Sequence, residues 1–428
     1  MEALTQALQA KVPGKHLAMA LRHCTAMLMC GTTISHYLHK YRSKGGAPTK
    51  GTIVIIDEWS EVQLHTWVEL AQWKLVGVIF IIVGDADGQR KPIFDSWQDA
   101  MSNKDIRQSS LIHELCGGLR INMNVYRRGI DQSLFDLFTC LYPYADDDSK
   151  VPEIAECLME SFPWAENNSN ASEICYHYIV IRHTDRIAIN EAMNWVWAQY
   201  QAEVLYVPSA GEKPGLTMQP QDTIIWKGME LLCCNRRYAK NAPVTGAVYV
   251  VDSWDAEKIT VSLHPDYHGD SIVPAKTQPD GLAGPEDSDD EGLEDLGDQT
   301  EILGMELHKP NEKASVYTLT HSPFSELMRP QHALLYANIQ GRTLKDRICL
   351  MDVTSPNMTV RDIITSMSRP TRQSDLKVMS PDQQRRFMTR IKEKTGAGGF
   401  DLQKRAQEVT LANSIPSDRR TPSRVGRY

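Results

Sequence analysis

The chain has 428 residues, 42% hydrophobic and 23% charged, a globular mixture long enough for two or three domains. No run approaches the ~20 apolar residues that span a bilayer, and the N-terminus lacks the continuous apolar core of a secretion signal. Nine cysteines at irregular spacing, with no Cys-x-x-Cys pair, indicate neither a zinc site nor a disulfide framework, and fit reduced intracellular thiols. The formal net charge of -8 does not announce a polyanion partner, but the charge is uneven. Residues 286–298 carry eight acids and no Lys or Arg, whereas 381–428 carry 11 Lys/Arg against 5 Asp/Glu.

In chain order, residues 25–40 read as a loop, a turn at Gly31 and a helix starting at Thr32 or Thr33. Gly14-Lys15 is no phosphate loop, because a single glycine precedes the lysine and His16 follows it. Residues 52–89 then carry the strongest pattern. Two apolar, β-branched runs, 52–56 and 78–83, flank a segment of helical spacing at 62–73. Strand, crossover helix and strand make a βαβ unit, and ligands of such sheets sit beyond the C-terminal strand ends. Both runs end in acid there: Asp57-Glu58 and Gly84-Asp85. An aspartate at a strand tip suits Mg2+, which takes hard oxygen ligands. Glu58 is placed to orient or deprotonate an attacking water, and Gln89 to sense a terminal phosphate.

Further along, 121–125 suggests a strand, 132–141 and 152–162 helices, 174–181 a buried strand, and the residues up to Tyr200 a long helix. From about Val204 short β-like runs separated by Asn, Pro and Gly predict a small inserted antiparallel barrel. Residues 264–300 have no periodicity and read as disordered. Residues 315–320 and 332–368 form a compact strand-and-helix series; beyond Arg372 apolar periodicity fades into a basic tail. Trp59, Trp67 and Trp97 are candidates for base stacking, with core packing as the commoner role of such residues.

Several of these stretches together resemble superfamily 1 helicases of the Pif1/RecD-like, viral-type branch, over roughly residues 18–375. Thr25-Ala26 and Gly31-Thr32-Thr33-Ile34-Ser35-His36 are similar to a segment that contacts single-stranded DNA, and Ile55-Ile56-Asp57-Glu58 to the Walker B motif. Gly84-Asp85-Ala86-Asp87-Gly88-Gln89 resembles the Gly-Asp-x-x-Gln motif with one extra residue. Tyr126-Arg127-Arg128-Gly129 resembles the motif with the first phosphate-facing arginine, leaving open whether Arg127 or Arg128 has that role. His183, Arg186, Asn190 and Asn194 are similar to the opening of the second RecA-like half. Asn235 and residues 241–248, with Pro243-Val244 in place of the usual Asn-Gly, resemble the turn of an SH3-like insertion. Tyr336 to Leu344 keeps Gln340, Gly341 and Thr343 of a Thr-x-His-x-x-Gln-Gly-x-Thr motif, and Ser368-Arg369 matches the last helicase motif.

The resemblance implies an α/β protein of two RecA-like P-loop NTPase domains, the first truncated, with an SH3-like β-barrel inserted in the second. It divides the chain at 1–120, 121–203, 204–314, 315–380 and 381–428. It implies catalytic roles for Asp57, Glu58, Gln89, Arg127, Arg128 and Arg369. ATP and Mg2+ would lie on Asp57, Asp85, Gln89, Gly341 and Arg369, the metal on Asp57, and DNA on Thr33, His36, His183, Gln340 and Thr343. Single-stranded or forked DNA would be the partner of a monomer in the nucleus or another DNA-containing compartment. The implied activity is an ATP-dependent 5′→3′ helicase. The implied Walker A loop ahead of Thr25 has no counterpart in the sequence. The chain is thus read either as a fragment of a longer helicase or as a helicase-like binding or assembly protein without turnover.

Overall fold

The computed structural model describes residues 16–29, 31–44, 48–85, 109–123, 131–165, 174–211, 219–234, 243–265 and 316–396, with isolated positions outside these runs. None of the described helices is long and apolar enough to cross a membrane.

The first unit is a parallel sheet. Strands β1 (His16–Ala20), β2 (Thr32–Thr33), β3 (Ile53–Asp57) and β4 (Ile79–Ile82) stand in the order β2-β1-β3-β4. Every pair is parallel, so helices must carry the chain back between strands. These are α1 (His23–Leu28), α2 (Ile34–Lys44) and α3 (Leu64–Leu75), with α4 (Ser110–Leu115) packed beside α3. β3 is buried on both faces, which its unbroken apolar run requires. Val54 and Ile56 pack with Trp67, Leu70 and Trp73, whereas Ile55 packs with Ala18, Ala26 and Met29. Trp59 and Trp67 are therefore core residues; Trp97 lies outside the described residues.

The predicted loop around Thr25 is instead α1. Ala26 and Met29, three apart, face the sheet, and that burial outweighs the lack of a side-chain cap. Gly31 follows because a Cβ there would lie 2.3 Å from the Ala18 carbonyl oxygen. The predicted strand at 121–125 is absent from its described part, where Ile121 and Met123 are more than four-fifths exposed.

The second unit opens with α5 (Gln132–Thr139), α6 (Val151–Ser161), β5 (His177–Val180) and α7 (His183–Ala198). The chain then leaves it. β6 (Leu205–Val207) pairs with β7 (Thr223–Ile225). Next come β8 (Glu230–Cys233), β9 (Val248–Trp254), β10 (Lys258–Leu263), β11 (Val316–Thr320), α8 (His321–Leu327) and β12 (Met328–Pro330). The five strands make an antiparallel sheet ordered β11-β10-β9-β8-β12. Where a small antiparallel barrel was expected, the described strands form one five-stranded sheet with β11 and β12 as its edges. The expected boundary at 315 also moves: β11 and β12 both belong to this sheet, because β11 finds its hydrogen-bond partner in β10.

The second unit resumes with β13 (Ala333–Leu335), β14 (Ile348–Leu350), α9 (Val360–Met367), β15 (Leu376–Val378) and α10 (Pro381–Gly396). Its sheet, β13-β5-β14-β15, is all parallel. Helices α5, α6 and α9 cover one face, α7 and α10 the other. α10 occupies the start of the predicted tail. Its buried stripe is only Met388 and Ile391, with Phe387 beside them, too narrow to register among so many charges. Asp352 docks this helix: its N–H donates to Gln384 Oε1 at 2.8 Å, and its carboxylate accepts from Gln384 and from Ile181 N–H.

Two asparagines one helical turn apart on α7 tie that helix to the inserted strands and to its own sheet. The Asn194 amide donates to Ile224 O and accepts from Ile224 N–H, at 2.7 and 2.8 Å. Asn190 does the same to Ala333, at 3.3 and 2.7 Å. Each amide thus imitates a neighbouring strand.

His332 sits fully buried between these units, its ring stacked on Trp226 at 6.2 Å. Burial, followed by the nearby His177, pushes its pKa down to about 3, and burial also lowers His177. The native state therefore holds His332 neutral down to about pH 3 and disfavours the charged form of His177, while the unfolded chain protonates both below about 6.5. The unfolded state binds more protons in that range, so stability is full above pH 6.5 and falls as the pH drops. Thermal melts should show a loss on the order of 1.4 kcal/mol per pH unit from His332 between pH 6.5 and about 3, with His177 adding in the same direction. His332→Phe should flatten that slope; an unchanged slope would refute the assignment.

Candidate functional site

The C-terminal ends of β3 and β4 lie side by side, because Val83 N–H donates to Ile56 O at 2.8 Å. Asp57 and Glu58 follow β3; Gly84 and Asp85 follow β4. The chain must turn sharply after β3, and Glu58 takes the left-handed conformation, φ 56°, rare for a residue with a Cβ. Its N–H donates to Asp57 Oδ1 at 3.0 Å, a local bond that supports the turn.

This turn aims the Glu58 side chain at the second unit. Gln340 Nε2 donates to Glu58 Oε2 at 3.0 Å, and the two residues are 1% and 8% exposed. Gly341, at φ 77°, comes so close that a Cβ would sit 3.0 Å from Thr25 Oγ1 and 3.9 Å from Glu58 Oε1. Only glycine meets both the backbone angle and the crowding. Thr25, Glu58, Gln340 and Gly341 thus form a polar contact between the two sheets.

Two further links flank it. Arg22, at the β1–α1 junction, donates through Nε and Nη2 to the two Glu61 oxygens, at 2.9 and 2.5 Å. Its Nη1 reaches across to Ala337 O at 2.9 Å. On the other flank the Tyr142 hydroxyl donates to Asp85 Oδ2 at 2.5 Å. Neither Arg22 nor Tyr142 was legible as a functional residue: each is a single residue whose partner is far away in sequence.

Arg369 meets the same turn from behind. Its guanidinium is 4% exposed and donates to Thr365 O at 2.8 Å, Ser368 Oγ at 2.6 Å and Arg342 O at 3.1 Å. The segment 340–342 is therefore gripped by Glu58 on one side and Arg369 on the other.

The remaining predicted residues divide by exposure. Thr33 is buried and its hydroxyl accepts from His36 N–H at 3.3 Å, capping α2. His36 is half-buried, while Thr343 and His183 are exposed. Partial burial, then the neighbouring Arg186, lower the His183 pKa. Gln89, Arg127 and Arg128 lie outside the described residues, as do Asn235, Asn241 and Ala242 of the expected insertion turn.

For ATP and Mg2+ the fit is partial. Asp57 and Asp85 offer hard oxygens at adjacent strand ends. Among the described residues no group of three or more His, Cys, Asp or Glu side chains could hold a metal. β1 passes through Leu21 and Arg22 straight into α1, with no glycine-rich turn of N–H groups to surround phosphates. The described residues do not complete a nucleotide site.

Two parallel sheets joined through a strand-end contact, with an antiparallel sheet inserted in the second, define a two-unit α/β architecture. No protein-family model matches the chain, and no curated protein matches it by sequence. Solved structures give the closer comparison. Pif1 helicase from Candida albicans superposes with a TM-score of 0.50 at 14% identity, over 92% of either chain. Bacteroides Pif1 bound to ssDNA superposes with a TM-score of 0.50 at 12% identity, over 92% of this chain and 91% of that one. At these identities the likeness is one of fold: the chain has the fold of Pif1-type helicases.

Proposed function

We propose that this protein engages single-stranded DNA along the join between its two parallel-sheet units, as a strand-binding protein of Pif1-like helicase architecture. The observation that carries the reading is the Glu58–Gln340 bond. It couples the acidic strand end of the first unit to the 340–343 turn, the stretch that resembles a DNA-contacting motif. Thr343 and His183, both exposed, are the proposed contacts nearest solvent, with His36 on the first unit. Contacts of this kind go mainly to phosphates and stacked bases, so affinity should fall steeply with salt.

A second reading, ATP-driven 5′→3′ translocation, is favoured by Asp57 and Asp85 at neighbouring strand ends and by Glu58 between the units. Gln89, Arg127, Arg128 and Arg369 would then sense or neutralise the terminal phosphate. The direction rests on likeness to other helicases alone.

Fluorescence anisotropy with labelled oligo-dT, alongside ATP hydrolysis with and without that strand, tests both. The strand-binding reading expects salt-sensitive binding that duplex DNA competes for poorly. Absence of binding at low salt sinks it. DNA-stimulated turnover abolished by Glu58→Gln would establish the motor reading; binding without turnover would remove it.

A further inference from the structure

The inserted antiparallel sheet ends in two unlike edges. β12 is three residues long, is buried throughout, and carries Arg329 and Pro330, an inward charge and a residue with no N–H. Both are devices that keep a strand edge from pairing. β11 has neither. Its five residues, Val316 to Thr320, include no charge, proline or glycine, and they pair with β10 without a bulge. Among the described residues no strand pairs with its other side. Val316, Thr318 and Thr320 are exposed, Val316 by 48%, while Tyr317 and Leu319 are half-buried against the core of this sheet. An uncharged, β-branched edge of this kind is a template for one more strand.

The side chains say which strand fits. Set antiparallel about Thr318, a second copy of β11 matches the first at every position. Thr318 faces the partner's Thr318, Val316 the partner's Thr320, and Tyr317 the partner's Leu319. β-Branched pairs and aromatic–aliphatic pairs are the kinds that stabilise antiparallel strands. The sheet already holds one threonine pair of this sort, with Thr260 Oγ1 and Thr318 Oγ1 3.3 Å apart across β10 and β11. Tyr317 and Leu319 lie on the core side, the Tyr317 ring 5.6 Å from that of Tyr249, and the added strand covers what the sheet leaves half-bare of both. Lys258, the charge nearest in the ladder, lies one strand in, opposite Thr320, so no like charges meet. A pair of this symmetry closes on itself, and growth stops at two copies. Five residues make a ladder about 17 Å long. That is the small end of specific interfaces, so the pair should part at about micromolar concentration.

We infer that β11 is a dimerisation edge, through which two copies of this chain join by antiparallel pairing about Thr318. This departs from the monomer that the resemblance implies. It stands on the β11 edge alone and needs neither the strand-binding nor the translocation reading.

The test is sedimentation equilibrium of the full chain from about 1 to 100 micromolar, the range in which such a pair forms and parts. The wild type should pass from monomer to dimer. Thr318→Lys and Thr318→Glu each set like charges against each other across the two-fold axis, and each should weaken the dimer by about tenfold or more. Thr318 is exposed, so both variants should keep the native circular dichroism spectrum. An equimolar mixture of the two sets lysine against glutamate and should restore dimerisation to within about threefold of wild type. Only pairing about Thr318 expects that rescue. A wild type that stays monomeric throughout overturns the inference. In that case slow hydrogen exchange of the β11 amides would give the edge to another segment of this chain, and fast exchange would leave it bare. A dimer that both variants leave intact, or a mixture that does not recover, overturns it equally.

Discussion

Glu58→Ala is expected to weaken single-stranded DNA binding by about tenfold or more, and to lower unfolding stability by about 1.5–3 kcal/mol, the range for a hydrogen bond to a charged group. The lost bond runs from Gln340 to a buried carboxylate, across the join between the two sheets. Gln340 Oε1 already lacks a partner among the described residues, so the substitution leaves the whole amide buried and unsatisfied. Nothing offsets this in the backbone, since alanine at φ 56° is no better placed than glutamate.

A reciprocal exchange separates this coupling role from a water-activating one. Glu58→Gln alone replaces a charged acceptor with a neutral one, and Gln340→Glu alone sets two carboxylates against each other. The double variant restores one carboxylate and one amide at the same contact, so stability and DNA affinity should recover together in a double-mutant cycle. Glu58→Ala with wild-type stability and affinity would refute the coupling. ATP turnover lost in Glu58→Gln and not recovered by the exchange would assign Glu58 to hydrolysis instead.

The parts of the fold written in local pattern were legible. β3 and β4 announce themselves as β-branched runs ending in acid, and β5 and α7 as a buried strand followed by a long helix. α1 was missed because six residues without a cap carry almost no helical signal; its stability comes from packing on β1. α10 was missed because three apolar residues in sixteen leave too narrow a stripe. Closure of the inserted sheet is a matter of which strands pair, and no local period encodes that.

The site divides the same way. Glu58 was singled out by residue type and neighbours, and Gln340, Gly341 and Arg369 by the resemblance; they meet at one turn. Their partners were not legible: Glu58 and Gln340 are 282 positions apart, and Arg22 and Ala337 are 315 apart. Asn190 and Asn194 were noted, but their role as strand mimics depends on Ile224 and Ala333 lying against α7. Such facts belong to topology rather than to sequence period.

Arg369→Ala carries the other large expected effect, about 3 kcal/mol of lost stability in protein without nucleotide. Its guanidinium caps the last turn of α9 at Thr365 O, where positive charge also complements the helix C-terminus. From there it holds Ser368 Oγ and Arg342 O, and its own carbonyl accepts from Leu344 N–H at 3.0 Å. Removing the side chain strands the Arg342 carbonyl, leaves Thr365 O with the Ser368 hydroxyl alone, and empties the space its stem fills, at about 1 kcal/mol or more for each lost charged bond. Arg369→Lys should recover little, because an ammonium cannot reach three separated acceptors at once. An arginine whose only task is to meet a nucleotide phosphate would behave differently: its loss would leave the nucleotide-free urea midpoint where it was. The two roles can also act in sequence, because the 340–342 turn held by Arg369 is the one that Glu58 touches. In that case Arg369→Ala should loosen the coupling measured by the Glu58–Gln340 cycle as well as lowering the urea midpoint. A midpoint equal to wild type would remove Arg369 from the frame of the site.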